Sequence, residues 1–202
     1  MNNDLIRKTV PEATHRLVLL HGWGADADDL IPLGEKLKGE VGAINFEIVS
    51  LRAPEQHPEG YGRQWYGLFP PDWDAVPKAV NELKQRLKDV CGIGIPLEKT
   101  ILLGFSQGGA MAVAAGSELS IAGLIACSGY PHPEWMPPAK SAPVLLCHGK
   151  NDDVVPCEAS RKLINIFRKN NTQADLLLFN GGHEIDEKLI PKMRKTIHSW
   201  LI

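Results

Sequence analysis

No apolar run in the 202-residue sequence approaches the roughly 20 residues a helix needs to cross a bilayer. The first residues, Met1-Asn2-Asn3-Asp4-Leu5-Ile6-Arg7-Lys8, lack the apolar centre of a secretory signal. Stable membrane insertion is therefore not expected, and the cytoplasm is the expected location. Excess charge is also missing. Twenty-two basic and 24 acidic residues leave a net charge of −2, without the basic surplus that marks a nucleic-acid binder. Cysteine is scarce and unpaired: Cys91, Cys127, Cys147 and Cys157 form no CxxC, and a chain this long can build its core without staples. Reduced, packed thiols are expected. His183-Glu184-Ile185-Asp186-Glu187 begins like a zinc helix but ends in Glu, and there is no HExxH, so neither a metal nor another cofactor is implied. Repeats, low-complexity tracts and coiled-coil heptads are lacking too, which leaves a scaffold role without support.

What is present is an alternation of short apolar runs with longer amphipathic stretches. Strands are predicted at 16–20, 46–51, 100–105, 122–127, 144–147 and 174–179. Each is nearly continuous in apolar residues, the pattern of a strand buried on both faces. Helices are predicted at 28–37, 74–90, 108–118, 158–169 and 184–200, with Asp74 as N-cap of the second and Gly92 as its stop signal. This alternation predicts one α/β domain over residues 1–202, with a mostly parallel central sheet and helices on both faces. Residues 52–73 break the pattern: they hold Pro54, Pro58, Pro70 and Pro71 and a crowd of large apolar side chains, Trp65, Tyr66, Leu68, Phe69 and Trp73. Long irregular connections are often functional. This one reads either as a loop packing its own aromatics or as a wall of an apolar ligand pocket. Exposed aromatics there would also suit a homodimer contact.

The strongest chemical signal is Gly104-Phe105-Ser106-Gln107-Gly108, followed by Gly109. It lies between an apolar strand and a helix of small residues, Met111-Ala112-Val113-Ala114-Ala115. A serine held out of so tight a turn needs nearly side-chain-free positions two before and two after it, and Gly104 and Gly108 meet that need. The hydroxyl then requires a base, and the base an orienting acid. Past the strand at 144–147 stand Asp152 and Asp153, and past the strand at 174–179 stands Gly181-Gly182-His183. Active sites of parallel sheets form at these strand ends. The chain order Ser106, an Asp, His183 is that of α/β-hydrolases. Of seven histidines, His21 and His148 also sit at strand ends, but both read as structural. Two backbone N–H groups would hold the oxyanion: that of Gln107, directly after the serine, and that of Trp23, in the loop of Leu19-Leu20-His21-Gly22-Trp23-Gly24.

Residues 19–24, 104–109, 148–156 and Gly182-His183, in this order, resemble the phospholipase/carboxylesterase family of α/β-hydrolases. That family includes acyl-protein thioesterases, small lysophospholipases and bacterial carboxylesterases. The resemblance extends from about Arg16 to the C-terminus and rests chiefly on GFSQGG and HGxxDxxVP. It implies Ser106 as nucleophile, Asp152 as triad acid, His183 as base, and Trp23 and Gln107 at the oxyanion positions. Arg63-Gln64-Trp65-Tyr66 resembles the family's tryptophan-bearing loop beside the acyl site, and together with the pocket-wall reading of residues 52–73 this makes Trp65, Tyr66, Leu68 and Phe69 the expected substrate-binding residues. The chain departs from many relatives in having Asp153 where they have proline, and Tyr66-Gly67 where they have Phe-Asp. Asp153 is expected to point into solvent.

The expected activity is hydrolysis of small acyl esters or thioesters through an acyl-enzyme. The length leaves no room for a large lid domain, which suits a short or medium acyl chain. Longer chains, as in lysophospholipase or acyl-protein thioesterase activity, are the alternative. A non-catalytic module binding a small apolar ligand is the alternative of a different class, since fold alone does not grant chemistry. An acyltransferase would use the same three residues, and only product analysis separates it.

Overall fold

Nine strands and five helices are described in a computed structural model covering residues 4–38, 45–91 and 94–201. In chain order they are β1 (Leu5–Lys8), β2 (His15–Leu20), α1 (Ile31–Lys38), β3 (Phe46–Leu51), β4 (Glu55–Gln56), β5 (Arg63–Gln64), α2 (Val76–Cys91), β6 (Thr100–Phe105), α3 (Gln107–Gly116), β7 (Gly123–Cys127), β8 (Val144–Gly149), α4 (Glu158–Lys169), β9 (Ala174–Phe179) and α5 (Ile190–Leu201). Seven strands form one sheet in the order β1-β3-β2-β6-β7-β8-β9, parallel except for β1, which pairs antiparallel with β3. β4 and β5 form a separate two-stranded ribbon within residues 52–73.

Successive side chains of a strand point to opposite faces, and the six parallel strands feed two cores. Val18, Leu20, Leu102, Leu124 and Leu146 pack with α2, α3 and α4 on one face. Leu17, Leu19, Ile101, Leu103, Ile125 and Leu145 pack with α1 and α5 on the other. The strand expectations hold, with small shifts of their ends. β1 was not anticipated from sequence, because LIRK is a four-residue edge strand, half exposed, without an apolar run.

Helix starts differ more. α1 begins at Ile31 and α5 at Ile190, later than the expected 28 and 184, and the latter follows a short 3-10 turn, Glu187–Leu189. α1, α2 and α5 all carry proline as their second residue, Pro32, Pro77 and Pro191. Proline fits the first helical turn because its missing N–H would lack an intrahelical partner there anyway. Asp74 is not the cap expected of it. It lies inside a 3-10 turn, Trp73–Ala75, and Asp72 is the residue whose carboxylate accepts from Ala75 N–H at 3.1 Å. Gly92 lies outside the described residues.

Cys127 and Cys147 are neighbours in register across β7 and β8, and both are buried free thiols, as is Cys157. The Cys127 contact and burial push the Cys147 thiol pKa well up. Among the described residues no helix is long and apolar enough to cross a membrane.

Candidate active site

Four consecutive parallel strands deliver one residue each to the C-terminal edge of the sheet. Ser106 follows β6, Ser128 follows β7, Asp152 lies three residues past β8, and His183 four past β9. Ser106 has φ 53° and ψ −117°, a backbone conformation that a non-glycine residue adopts only under constraint. The constraint is visible: Ser106 N–H donates to Cys127 O at 2.9 Å, and Ser106 O accepts from Ala110 N–H at 3.0 Å. The turn closes because of glycine. A Cβ on Gly104 would lie 2.1 Å from Gly108 O, and one on Gly108 would lie 2.1 Å from Leu20 O. On Gly109 a Cβ would come within 3.0 Å of Cys127 O, so α3 starts hard against the sheet.

The Ser106 Oγ lies 2.9 Å from His183 Nε2, and His183 Nδ1 lies 2.8 Å from Asp152 Oδ2. An Nδ1–H donated to the carboxylate leaves the Nε2 lone pair free to accept the serine proton. The other carboxylate oxygen of Asp152 accepts from Val154 N–H at 3.0 Å and Val155 N–H at 2.8 Å. Burial pushes this carboxyl up, but the hydrogen bonds from His183 and Val155 outweigh it, and its pKa falls below the usual value. Ser128 contributes as well: its buried hydroxyl lies outside strict hydrogen-bond geometry yet its dipole favours the charged Asp152. Asp153, by contrast, is exposed.

The two other strand-end histidines are fully buried. His21 Nδ1 bonds to Gly22 O at 2.8 Å and Nε2 accepts from Ala53 N–H at 3.0 Å, which fixes a neutral tautomer, and burial lowers its pKa. His148 lies between Ser160 Oγ and Val155 O, each at 2.7 Å, and so braces the loop that carries Asp152.

Trp23 sits in a loop fixed at both sides. Gly24 N–H donates to Arg63 O at 2.9 Å and Arg63 N–H to Ala25 O at 2.8 Å. Gln107 opens α3, and its side chain does something the sequence did not announce. Its Oε1 accepts from Trp65 N–H at 3.0 Å and its Nε2 donates to Tyr66 O at 2.8 Å, tying the 52–73 segment to the turn of Ser106.

The four residues expected to bind substrate divide. Trp65 and Tyr66 are 2% and 0% exposed and belong to the core, with no surface to offer a ligand, contrary to expectation, whereas Leu68 and Phe69 are accessible. Trp65 Nε1 donates to His21 O at 2.9 Å, and Tyr66 OH bonds Tyr130 OH at 2.8 Å and His132 Nε2 at 2.9 Å. Leu68 is half-buried. Phe69 is 72% exposed and lies edge-on to the Trp23 ring at 5.0 Å, with His57 on Trp23 at 4.1 Å. The segment thus packs much of its own aromatic surface, as the first of the two readings expects. Against His183 a cavity of about 290 Å³ opens, walled also by Phe105, Leu30, Leu33 and Ile185. These residues come from three separate segments and share no motif, which is why sequence reasoning missed them.

Residues 1–201 match the family described as Phospholipase/Carboxylesterase. The acyl-protein thioesterase 1 of Neurospora crassa is 31% identical, covering 89% of this chain and 84% of its own. The acyl-protein thioesterase 1 homolog 2 of Dictyostelium discoideum is 27% identical, covering 95% and 100%. Among solved structures, the esterase PE8 superposes with a TM-score of 0.84 at 29% identity, covering 98% of this chain and 97% of that one.

Proposed function

Since the chain belongs to the phospholipase/carboxylesterase family, we propose that it cleaves short- to medium-chain acyl esters or thioesters with Ser106, His183 and Asp152 as its catalytic residues. It is a hydrolase of the carboxylesterase and acyl-thioesterase type. The single observation supporting the assignment of residues is the unbroken line from Ser106 Oγ to His183 to the Asp152 carboxylate, with links of 2.9 and 2.8 Å.

His183 Nε2 takes the Ser106 proton as Oγ bonds to the substrate carbonyl carbon, and the carbonyl oxygen becomes an anion facing the N–H groups of Trp23 and Gln107. The tetrahedral species collapses, the bond from carbon to the alcohol oxygen or thiol sulfur breaks, and His183 gives that atom its proton. A water then attacks the acyl-serine with His183 again as base, releasing the acid and restoring Ser106. Asp152 holds the imidazole tautomer and stabilises the imidazolium formed at each step. Leu68, Phe69 and Trp23 would border the acyl chain.

Hydrolysis of p-nitrophenyl esters from acetate to palmitate, by the native chain and by Ser106→Ala, tests this. A maximum at short or medium chains is expected, together with a loss of about 10⁶-fold in kcat in the variant. Turnover by Ser106→Ala close to the native rate would overturn the assignment. A maximum at palmitate would transfer the substrate to the long-chain class.

A further inference from the structure

The cavity beside His183 suggests which substrates the enzyme prefers, and we propose that it receives the alcohol or thiol portion of the substrate and favours portions that are apolar and positively charged. The inference rests on the function proposed above and deepens it. Its first half follows from proton transfer. The imidazole that takes the serine proton must return it to the departing oxygen or sulfur, so that atom has to come within hydrogen-bonding reach of His183 Nε2. The carbonyl oxygen turns the other way, toward Trp23 and Gln107. The departing portion therefore extends on the His183 side, where the cavity of about 290 Å³ has His183 in its own wall. Leu30, Leu33, Ile185 and Ile190 make the rest of that wall apolar.

The second half follows from charge. The ionisable residues lining the cavity besides His183 are Asp29, Lys36, Glu184 and Glu187. Lys36 and Glu187 bind each other, joining α1 to the turn before α5, and their charges cancel. Asp29 and Glu184 remain, two carboxylates lining the cavity beside its apolar side chains. Both are exposed to solvent, and at Asp29 partial desolvation and the adjacent Asp28 raise the pKa against the opposing effect of His21. Two carboxylates beside one cavity, unpaired among the described residues, attract a nearby cation and repel an anion even when exposed, more weakly than buried ones would. The preferred substrates are thus esters or thioesters of cationic, partly apolar alcohols and thiols, and carriers with anionic groups are disfavoured.

Three thioacetates with one acyl group test this, those of thiocholine, of its uncharged isostere 3,3-dimethylbutanethiol and of 2-mercaptoethanesulfonate. Deacylation is common to all three, so kcat/KM reports the departing portion. Dividing each value by the rate of alkaline hydrolysis removes intrinsic reactivity. The expected order is cation, neutral, anion. In the double variant Asp29→Asn, Glu184→Gln the ratio of thiocholine to isostere should fall about fivefold, as for two exposed charges. Raising the salt concentration should shrink the native ratio in the same direction. Serine-dependent turnover with a ratio unmoved by the double variant and by salt would overturn the inference alone. Turnover surviving Ser106→Ala would overturn the functional reading and the inference with it.

Discussion

Asp152 shows how much a single side chain is asked to do. One oxygen accepts two backbone N–H groups, from Val154 and Val155, while the other faces His183 Nδ1. In Asp152→Asn the oxygen would stay on the two N–H donors and the amide NH₂ would turn toward His183. Nδ1 would then have to accept, Nε2 would carry the hydrogen, and the lone pair needed by Ser106 would be gone. A loss of about 10⁴-fold in kcat is expected, with the fold intact by circular dichroism. A loss under tenfold would remove Asp152 from the mechanism. Its depressed pKa also keeps the carboxylate charged to below the usual range, so protonation of Asp152 does not limit activity at mildly acid pH. At this scale the sequence was legible where chemistry imposes a local pattern. Gly104, Ser106 and Gly108 lie within five residues, and the candidate acid and base stand at strand ends. Ser128 was not legible, because a lone serine after a strand has no pattern, and only folding places it over Asp152. The side chain of Gln107 was hidden likewise, since its partners Trp65 and Tyr66 lie more than 40 positions away.

Elements meet at this site by backbone contact, with glycine as the permission. Gly108, in the first turn of α3, faces the carbonyls of Leu20 and His21 at the end of β2, where a Cβ would stand 2.1 and 2.4 Å from oxygen. Backbone carbonyls cannot swing aside as a side chain can, so Gly108→Ala must push α3 away from β2. The expected cost is at the upper end of the about 1–3 kcal/mol typical of overpacking, or roughly 6–12 °C in Tm for a chain of this size. Activity should fall further than stability explains, because the same shift moves the Gln107 N–H away from the loop of Trp23. A variant with native Tm and native kcat would show that the turn has slack. The parallel strands were readable because burial on both faces demands apolar residues at every position. β1 was not, since an edge strand needs no such run. Helix starts were displaced because Asp28 and Glu184 look like helix entry points, whereas the prolines at 32, 77 and 191 mark the first turns.

Over the whole molecule, the two irregular segments above the sheet are joined by a buried polar cluster. Tyr66, from the segment before α2, bonds both Tyr130 and His132, from the segment after β7. Nothing in either stretch announces the other, because the pairing spans more than 60 residues and has no periodicity. The cluster has a consequence for pH. Burial raises Tyr130 to about 12 and lowers His132 to about 4. An unfolded histidine titrates near 6.5. Between about 6.5 and 4 the unfolded chain therefore binds the proton that native His132 refuses, so stability rises with pH through this window and is lost on acidification. At about 1.4 kcal/mol per unit, lowering the pH from 7 to 4.5 should remove about 2–3 kcal/mol through this residue. His21, lowered by burial, tilts the curve the same way. Asp152 acts in a different window, because its depressed pKa adds stability that is lost only below about pH 4. Denaturant unfolding at pH 7 and 4.5 checks the account. His132→Phe, which leaves the two tyrosine hydroxyls to each other, should show a smaller loss than the native chain. An equal loss would mean that the acid sensitivity arises elsewhere than in the cluster joining these segments.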